Sequence, residues 1–342
     1  MSLSCGSQVI LCNLPIRLDT YRGCSHNCKY CFARRNSDIN IIRKGNTLEA
    51  LKNFVEGKRN AETNWCDWNI PIHWGGMSDP FQPIERKYRY SLEFLKYLKE
   101  TQYPFIVSTK GYLVAEPEYL NLLSDCNCVV QISMLCSKYD VIEKGAPTFE
   151  ERLMMVKKLS PRVKRVIIRC QPYMLEVFND VIKNIPRMAD AGAYGIVFEG
   201  MKFLKKKSHM VKIGGDYCYP VKILKEHFQK LRDECHKYGL KFYSGENRLR
   251  IMGDSMTCCG IDGLEGFVAN EYNICMMLNN KVNKNNMPTE KMKEIGTAQC
   301  FSSLHQNAGI HSILKCNSFA GRMQKEMNCR KDYYKKLFTP HE

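Results

Sequence analysis

The sequence has no run of about 18 apolar residues, the length that a membrane-spanning helix requires. Its first residues, Met1-Ser2-Leu3-Ser4-Cys5, lack the charged and apolar regions of a secretory signal peptide. It has no internal repeat and no low-complexity tract. These absences predict a cytoplasmic protein without a membrane partner.

Disulfides are also not expected, although the chain contains 18 cysteines. Without an export signal the thiols should stay reduced, because the cytosol keeps them so. An oxygen-poor cell that builds iron–sulfur clusters fits this composition better. With 342 residues and 44% hydrophobic content, the chain is long enough for one large domain with an appendage, or for two ordinary domains.

Three of the cysteines lie close together in Tyr21-Arg22-Gly23-Cys24-Ser25-His26-Asn27-Cys28-Lys29-Tyr30-Cys31-Phe32, with C-x3-C-x2-C spacing. Thiolates are the usual ligands of iron–sulfur clusters, and a cubane cluster normally takes four of them. Three closely spaced thiols therefore indicate either a fourth ligand from elsewhere or an iron reserved for a small molecule. The alternative is zinc, which would need a second ligand pair; His26 lies inside the loop, but no C-x2-C pair follows downstream.

This run resembles the cysteine loop of the radical S-adenosylmethionine (SAM) enzymes. The resemblance implies that Cys24, Cys28 and Cys31 ligate a [4Fe–4S] cluster whose fourth iron binds S-adenosyl-L-methionine. It also implies reductive cleavage of that cofactor to methionine and a 5′-deoxyadenosyl radical, with a reducing flavodoxin- or ferredoxin-type electron donor. Phe32 stands where these enzymes usually place an aromatic residue against the adenine.

After the cysteine loop, short β-rich runs alternate with amphipathic stretches, the pattern of βα units around a parallel sheet. The predicted strands are Ile70–Trp74, Phe105–Thr109, Val129–Ser133, Val163–Cys170, Gly195–Glu199 and Lys241–Tyr243. The predicted helices are Tyr88–Glu100, Phe149–Leu159, Leu175–Ala191 and Val221–Tyr238. Pro186 is expected to kink or split the third of these helices.

With the strand that must precede Cys24, the chain has about six or seven βα units, fewer than the eight of a full barrel. We therefore expect an α/β fold, a partial (β/α)6 TIM-like barrel of the radical SAM type, over residues 1–245. Ligand groups collect at the carboxyl ends of strands in parallel barrels, and the cysteine loop follows the first predicted strand.

Residues 246–342 form a predicted Cys-rich C-terminal extension. Single free cysteines are commonly small buried side chains. The alternative is a second iron–sulfur cluster, or a zinc site that uses His305 and His311. The candidate ligands of that auxiliary site are Cys258, Cys259, Cys300, Cys316 and Cys329.

A second informative stretch, Gly75-Gly76-Met77-Ser78-Asp79, follows the second predicted strand. Paired glycines let the backbone approach a ligand closely, and Ser78 or Asp79 can accept a ligand's ammonium group. An ordinary turn is the alternative interpretation.

The cysteine loop together with Ser78-Asp79-Pro80-Phe81-Gln82-Pro83-Ile84-Glu85 resembles the spore photoproduct lyase-like radical enzymes, often labelled DNA repair photolyases. Ser108-Thr109-Lys110 and the segment 145–152 carry the same resemblance, which covers about residues 8 to 250. It implies that Ser78 with Asp79 holds the methionyl amine, Lys110 pairs with the cofactor carboxylate and Ser133 approaches the ribose. Tyr30 matches a tyrosine of the lyase's hydrogen-atom relay. The structural alternatives are a surface lysine, a strand-end hydroxyl satisfied by backbone and a packing aromatic.

One departure from the lyase pattern concerns the hydrogen donor. The lyases keep a donor cysteine immediately before the Ser-Asp segment, where this chain has Gly76 and Met77. Neither residue donates a hydrogen atom as a thiol does. Cys66 lies near the start of the second predicted strand, the wrong end of a barrel for chemistry. Authentic spore photoproduct reversal is therefore not expected.

The net charge is +16, from 51 basic and 35 acidic residues, and short basic clusters such as Lys205-Lys206-Lys207 recur. Such a field favours a polyanionic partner, although a charged cluster is by default a solvated surface. The sequence thus predicts a radical SAM enzyme that abstracts hydrogen from a nucleic acid. The alternatives are a peptide- or protein-modifying radical enzyme with an auxiliary cluster, and a metal-stabilised nucleic-acid-binding module without catalysis. Strand-end cofactor residues favour an enzyme, because a binding module needs only the charge.

Overall fold

The computed structural model describes residues 3–5, 12–35, 38–58, 63, 69–203, 205–213 and 216–270. The strands are β1 (Ser4–Cys5), β2 (Ile16–Leu18), β3 (Tyr21–Arg22), β4 (Arg43–Lys44), β5 (Ile72–Trp74), β6 (Phe105–Thr109), β7 (Cys128–Ser133), β8 (Arg165–Tyr173), β9 (Gly195–Gly200), β10 (Lys202–Phe203), β11 (Val211–Ile213), β12 (Asp216–Cys218) and β13 (Lys241–Ser244). The α-helices are α1 (Leu48–Val55), α2 (Glu85–Tyr88), α3 (Tyr90–Thr101), α4 (Pro117–Ser124), α5 (Phe149–Leu159), α6 (Phe178–Asp190) and α7 (Val221–Lys237).

An eight-stranded sheet in the order β1-β2-β5-β6-β7-β8-β9-β13 forms the body of the molecule. β1 is antiparallel to β2, and the other seven strands are parallel to their neighbours. At least one helix lies between each pair of consecutive parallel strands, which makes six βα units and a seventh strand. The predicted partial barrel is confirmed, and its carboxyl ends share one face.

Local sequence explains the regular elements. β6 and β7 are rich in β-branched residues and buried along their whole length, as expected for parallel strands covered on both faces. α5 begins with a capping box between Thr148 and Glu151, and Lys157 and Lys158 lie in its last turn, where they complement the helix dipole. β6 and α5 have the predicted bounds.

The helix predicted over Leu175–Ala191 is interrupted, but not at its proline. A 3-10 turn spans Leu175–Val177, and α6 then runs through Pro186 to Asp190. A split at Pro186 was therefore the wrong expectation. The break lies at the junction of the 3-10 turn with α6.

Aromatic side chains fill the layer between sheet and helices. Trp74 of β5 is fully buried and packs against Phe81, Phe94 and Phe105. On the far side, Phe228 of α7 packs against Phe198 and Phe242 of the last two parallel strands. These contacts hold helices on the outside of the sheet and leave the inner face to polar groups.

The segment after β13 closes the barrel at the amino ends of its strands. Arg165, the first residue of β8, donates to the carbonyl oxygens of Gly260 (2.9 Å) and Asp262 (2.6 Å). The backbone N–H of Asn270 donates to the carbonyl of Asn13 at 2.7 Å, which ties this segment to the residues before β2. Residues 254–270 thus pack into the barrel, while 271–342 lie outside the described residues.

The connection after β9 contains a small antiparallel sheet in the order β10-β12-β11. Because it follows the carboxyl end of β9, it extends from the same face as the cysteine loop. No helix within the described ranges combines the length and the apolarity that a membrane span requires.

Candidate cofactor site

The cysteine loop follows β3 and is held by backbone hydrogen bonds on both sides. Cys24 N–H donates to the carbonyl of Ile39 at 2.7 Å, and Lys29 N–H donates to that of Ile142 at 2.9 Å. Gly23 has φ +82°, and a Cβ on it would lie 2.4 Å from the Ile41 carbonyl oxygen, so only glycine fits. The loop conformation is therefore fixed by the surrounding chain.

Asp79 links the second motif to this loop. Its carboxylate accepts from Phe81 N (2.9 Å) and Thr109 Oγ1 (2.6 Å) at Oδ1, and from Lys110 N (2.6 Å) and Gly111 N (3.2 Å) at Oδ2. His26 Nε2 of the cysteine loop lies 3.1 Å from Oδ2. Burial alone would raise the pKa of Asp79, but His26 and these hydrogen bonds lower it to about 2.

Groups of the chain itself therefore occupy the lone pairs of the Asp79 carboxylate. The Ser78 hydroxyl likewise donates to the Tyr21 carbonyl oxygen at 2.5 Å. The contacts favour a role for both side chains in joining β3, β5 and β6. That Ser78 and Asp79 bind the methionyl amine stays a prediction.

Two further residues of the same motif hold the loop. Gln82 accepts from the N–H of Ser25 (2.9 Å) and donates to the carbonyl of Gly23 (3.1 Å). Glu85, fully buried, accepts from the Tyr21 hydroxyl. Residues 79, 82 and 85 thus each fasten one part of segment 21–26, which explains why the two motifs occur together.

The glycine pair lies where β5 ends. Gly75 has φ +85°, and a Cβ there would lie 2.3 Å from the Ser108 carbonyl oxygen. Gly76 is open on one side, where a Cβ would meet the Arg17 side chain at 3.5 Å. The Asp19 carboxylate fixes the next turn by accepting from Met77 N (2.9 Å) and Ser78 N (3.1 Å). Burial outweighs these bonds and raises the pKa of Asp19 to about 6.

A buried glutamate that sequence reasoning missed, Glu143, organises the other side of the loop. It is 1% exposed and accepts from the Tyr30 hydroxyl, and its Oε2 lies 2.5 Å from Arg152 Nη2. Lys110 Nζ lies 3.8 Å from Glu143 Oε1 and 5.7 Å from the centre of the Tyr30 ring. Burial opposes ionisation, but Lys110 and Arg152 lower the pKa of Glu143. In the sequence, the one indication of this group of charged residues is Arg152, the last residue of the segment 145–152.

The other residues that were predicted to contact the cofactor lie around Glu143 and its partners. Ser133 is 8% exposed at the end of β7, and its carbonyl accepts from Arg152 Nη1 at 2.7 Å. Phe32 is 54% exposed and begins a 3-10 helix directly after the third cysteine. Both are placed near the loop, and their contacts with a cofactor stay predictions.

All three thiols of the cysteine loop are free and lie within the described residues. Among the described residues, no three His, Cys, Asp or Glu side chains converge to hold one metal ion. A cubane cluster does not need such convergence, because each thiolate binds a different iron. Burial raises the pKa of Cys24 to about 12 and also raises that of Cys28, which Lys110 opposes. Thiols of this kind are deprotonated when a metal coordinates them.

Two of the predicted auxiliary ligands lie inside the barrel. The Sγ atoms of Cys258 and Cys259 are 4.0 Å apart, and the Cys259 carbonyl accepts from Gln131 Nε2 at 3.3 Å. The hydrogen bond from Cys259, with Arg250 and Arg169, outweighs burial and lowers the pKa of Cys258. Cys300, Cys316 and Cys329 lie outside the described residues, so the auxiliary site stays a prediction.

A polar network that the sequence did not reveal crosses the barrel lumen. It runs from Arg17 on β2 through His73, Ser108 and Gln131 to Arg169 on β8. The signal that was available is the alternation of Arg165, Arg169 and Gln171 with buried apolar residues along β8.

No family model matches the chain. Uncharacterized proteins of Mycobacterium tuberculosis and Mycobacterium bovis are 25% identical over 204 residues, which is 55% of this chain. The match spans 59% of the length of those curated relatives.

Solved structures give the broader match. Spore photoproduct lyase complexed with dinucleoside spore photoproduct superposes with a TM-score of 0.54 at 18% identity, over 67% of this chain and 76% of the lyase. A lyase variant with bound AdoMet gives 0.53 at 17% identity with the same coverage. Streptococcus suis SuiB bound to precursor peptide SuiA gives 0.50 at 11% identity, over 68% of this chain and 49% of SuiB. The chain therefore has the partial-barrel fold of spore photoproduct lyase, and the relationship predicted from the two motifs is confirmed at the level of the fold.

Proposed function

We propose that the protein is a radical SAM enzyme that generates a 5′-deoxyadenosyl radical and abstracts hydrogen from a nucleic acid. One observation carries the proposal. The three-cysteine loop and the Ser78–Lys110 region are locked together at the carboxyl ends of β2, β5 and β6, chiefly through Asp79. This is the face of a parallel barrel on which catalytic groups collect.

The protein's own contribution is to position groups around that loop. Cys24, Cys28 and Cys31 would hold a [4Fe–4S] cluster, which would supply the electron that cleaves S-adenosylmethionine. Glu143 holds Lys110 and Tyr30 beside the loop, so a carboxylate of the cofactor would find an ammonium already in place.

Cofactor cleavage is the direct test. Anaerobically reconstituted wild-type protein, reduced with dithionite, is expected to bind about four irons per chain and to form 5′-deoxyadenosine and methionine. Replacement of Cys24, Cys28 and Cys31 by alanine should abolish both. As a matched control, Cys126, Cys136 and Cys218, which are buried elsewhere, are replaced by alanine. Cofactor turnover by the first variant would refute the proposal, and iron that remains in it would reveal a second cluster.

The proposed nucleic-acid substrate is supported by charge on the same face. Lys205, Lys206 and Lys207 are exposed in the connection between β10 and β11, which extends from the carboxyl end of β9. Exposed lysines at this place are suited to contact phosphates around the barrel mouth. Gly76 and Met77 stand where the lyases have a donor thiol, so we propose an outcome other than spore photoproduct reversal. A flavodoxin- or ferredoxin-type electron donor stays part of the proposal.

Binding of DNA and RNA oligonucleotides tests the substrate class. Reversal of the three lysines to glutamate should weaken binding of every sequence alike and reduce its salt dependence, because each phosphate contact releases counterions. The control reverses Lys96, Lys157 and Lys158, which are exposed on the outer helices α3 and α5. Equal losses in both variants would assign binding to net charge alone. Absence of binding at low salt would transfer the proposal to a peptide substrate.

A further inference from the structure

Two arginines project into the barrel lumen and have only uncharged hydrogen-bond partners among the described residues. Arg17 lies between the buried Ile16 and Leu18 on β2, so its side chain points to the opposite, inner face. Its guanidinium donates to His73 Nδ1 and lies 3.8 Å from Cys12 Sγ. No described carboxylate lies within 4.0 Å of its nitrogens.

Arg169 faces the same space from β8. It donates to Gln171 Oε1 at 2.7 Å, to Gln131 Oε1 at 3.0 Å and, at 3.4 Å, to Ser108 Oγ. Within the described ranges it, too, has no carboxylate at ion-pair distance. Both arginines are only partly buried, so solvent reaches them.

The side chains that connect Arg17 to Arg169 are uncharged, as the directions of their hydrogen bonds show. An arginine only donates, so His73 Nδ1 must accept and the ring proton lies on Nε2. That proton is donated to Ser108 Oγ at 2.9 Å, and Ser108 donates in turn to Gln131 Oε1 at 2.8 Å. Burial, Arg17 and Arg169 all lower the pKa of His73, which keeps it uncharged. The hydrogen-bonded network therefore lies between two positive charges and contributes no negative charge that would offset either of them.

Two carboxylates of this region, those of Glu199 and Asp19, form their hydrogen bonds with other groups. Glu199 binds Gln171 and Lys202, each at 2.5 Å. Asp19 accepts hydrogen bonds from backbone N–H groups of the glycine turn, and its carboxylate interacts with Arg17 only at longer range. Neither guanidinium group has a carboxylate at ion-pair distance among the described residues, so an anion bound between them would gain charge-assisted hydrogen bonds from both.

Gly76 shows where this charge lies relative to the proposed cofactor site. The Cβ that a side chain at position 76 would have lies 3.5 Å from Arg17 Cδ and 3.9 Å from its Nη1. The Arg17 side chain therefore lines the space that a residue at position 76 would enter, at the end of β5 beside the Ser78–Asp79 turn.

We infer that Arg17 and Arg169 form an oxyanion-binding site in the lumen, which takes a phosphate or carboxylate group of the substrate. The planar forks of two arginines suit either group. The substrate assignment rests on the proposed function, whereas the anion site itself does not.

Calorimetric titration of the reconstituted full-length protein in chloride-free buffer tests the site, with inorganic phosphate and acetate as separate probes. Saturable binding is expected for at least one of them, and the tighter anion identifies the substrate group. Arg169→Met should weaken binding by about ten- to hundredfold, because charge-assisted hydrogen bonds are lost, and Arg17→Met by a similar factor. Arg169→Lys, which keeps the charge without the fork, should lie between wild type and Arg169→Met.

Arg162→Met is the matched control, since Arg162 is an exposed arginine whose described hydrogen-bond partners, Asn121 and Ser124, are also neutral. No saturable binding in wild type, or an equal loss in this control, would overturn the inference. Formation of 5′-deoxyadenosine by wild type is measured separately. Its absence beside intact anion binding would refute only the proposed function, and the converse result would refute only the anion site.

Discussion

Substitution of Glu143 by glutamine would remove the charge that holds Lys110, Arg152 and Tyr30 beside the cysteine loop. Arg152 has a side chain 1% exposed and lies 2.5 Å from Glu143, whereas its other carboxylate, that of Asp140, lies 3.5 Å away. Breaking a buried ion pair from one side typically costs about 3–5 kcal/mol, because the remaining charge is left without full compensation. Glu143→Gln should therefore lower the free energy of unfolding by about that amount.

Urea unfolding of the wild type and the variant measures this loss. The control is Glu150→Gln, which removes an exposed pair with Arg187 whose side chains are 62% and 44% exposed. Such a surface pair is worth less than about 1 kcal/mol. Equal effects of the two substitutions would refute the assigned role of Glu143.

The pH dependence of the unfolding free energy separates the contribution of the Glu143 charge from the contribution of its packing. The pKa of Glu143 is lowered in the folded protein from its ordinary value of 4.5. Its stabilisation is thus fully present above pH 4.5 and is lost as pH falls from there through the folded-state pKa. The difference between wild type and Glu143→Gln should shrink over that range. A difference independent of pH would show that the carboxylate charge is not responsible.

Two further substitutions test the segment that holds the loop. Gly75→Ala should destabilise the protein by more than Gly57→Ala, since both glycines have φ +85° but only at Gly75 would the Cβ collide with the Ser108 carbonyl oxygen, at 2.3 Å. Equal melting temperatures of the two variants would show that the turn relaxes freely. Asp79→Asn should lower the free energy of unfolding by at least about 2 kcal/mol, because an amide cannot accept all the hydrogen bonds of the carboxylate. The pKa of Asp79 is about 2 against an ordinary 3.8, so its contribution should persist at pH 4 and be lost between pH 3.8 and 2. The exposed Asp125→Asn serves as control, and chemical denaturation at pH 7 and pH 4 is the measurement.

The sequence predicted the parallel barrel because its strands are short β-branched runs whose burial is visible as continuous apolarity. β6 is an example with the predicted bounds. It did not predict what the polar residues of the second motif contact. Ser78 and Asp79 have the chemistry of ammonium ligands, yet in the fold they bind Tyr21, Thr109 and backbone N–H groups.

The remaining site residues were missed for a related reason. Glu143 is a single acidic residue in an irregular segment, and two of its three partners, Tyr30 and Lys110, are distant in sequence. Arg17 and His73 meet only because β2 pairs with β5 in one register. Pairing between distant strands is not encoded in any local pattern of residues, so it becomes visible only in the fold.

The contact between Asn13 and Asn270 has a consequence for the order of folding. These two residues are 257 positions apart; the Asn13 side chain donates to the Asn270 carbonyl, and the Asn270 N–H donates to the Asn13 carbonyl. During synthesis the first strand of the barrel therefore emerges long before the segment that covers its amino end. Contacts of such sequence separation slow folding, because a long loop must close before they form. A nascent chain that ends before residue 254 contains the strands of the barrel but not the segment that covers their amino ends. In such a chain Arg165 lacks the Gly260 and Asp262 carbonyls.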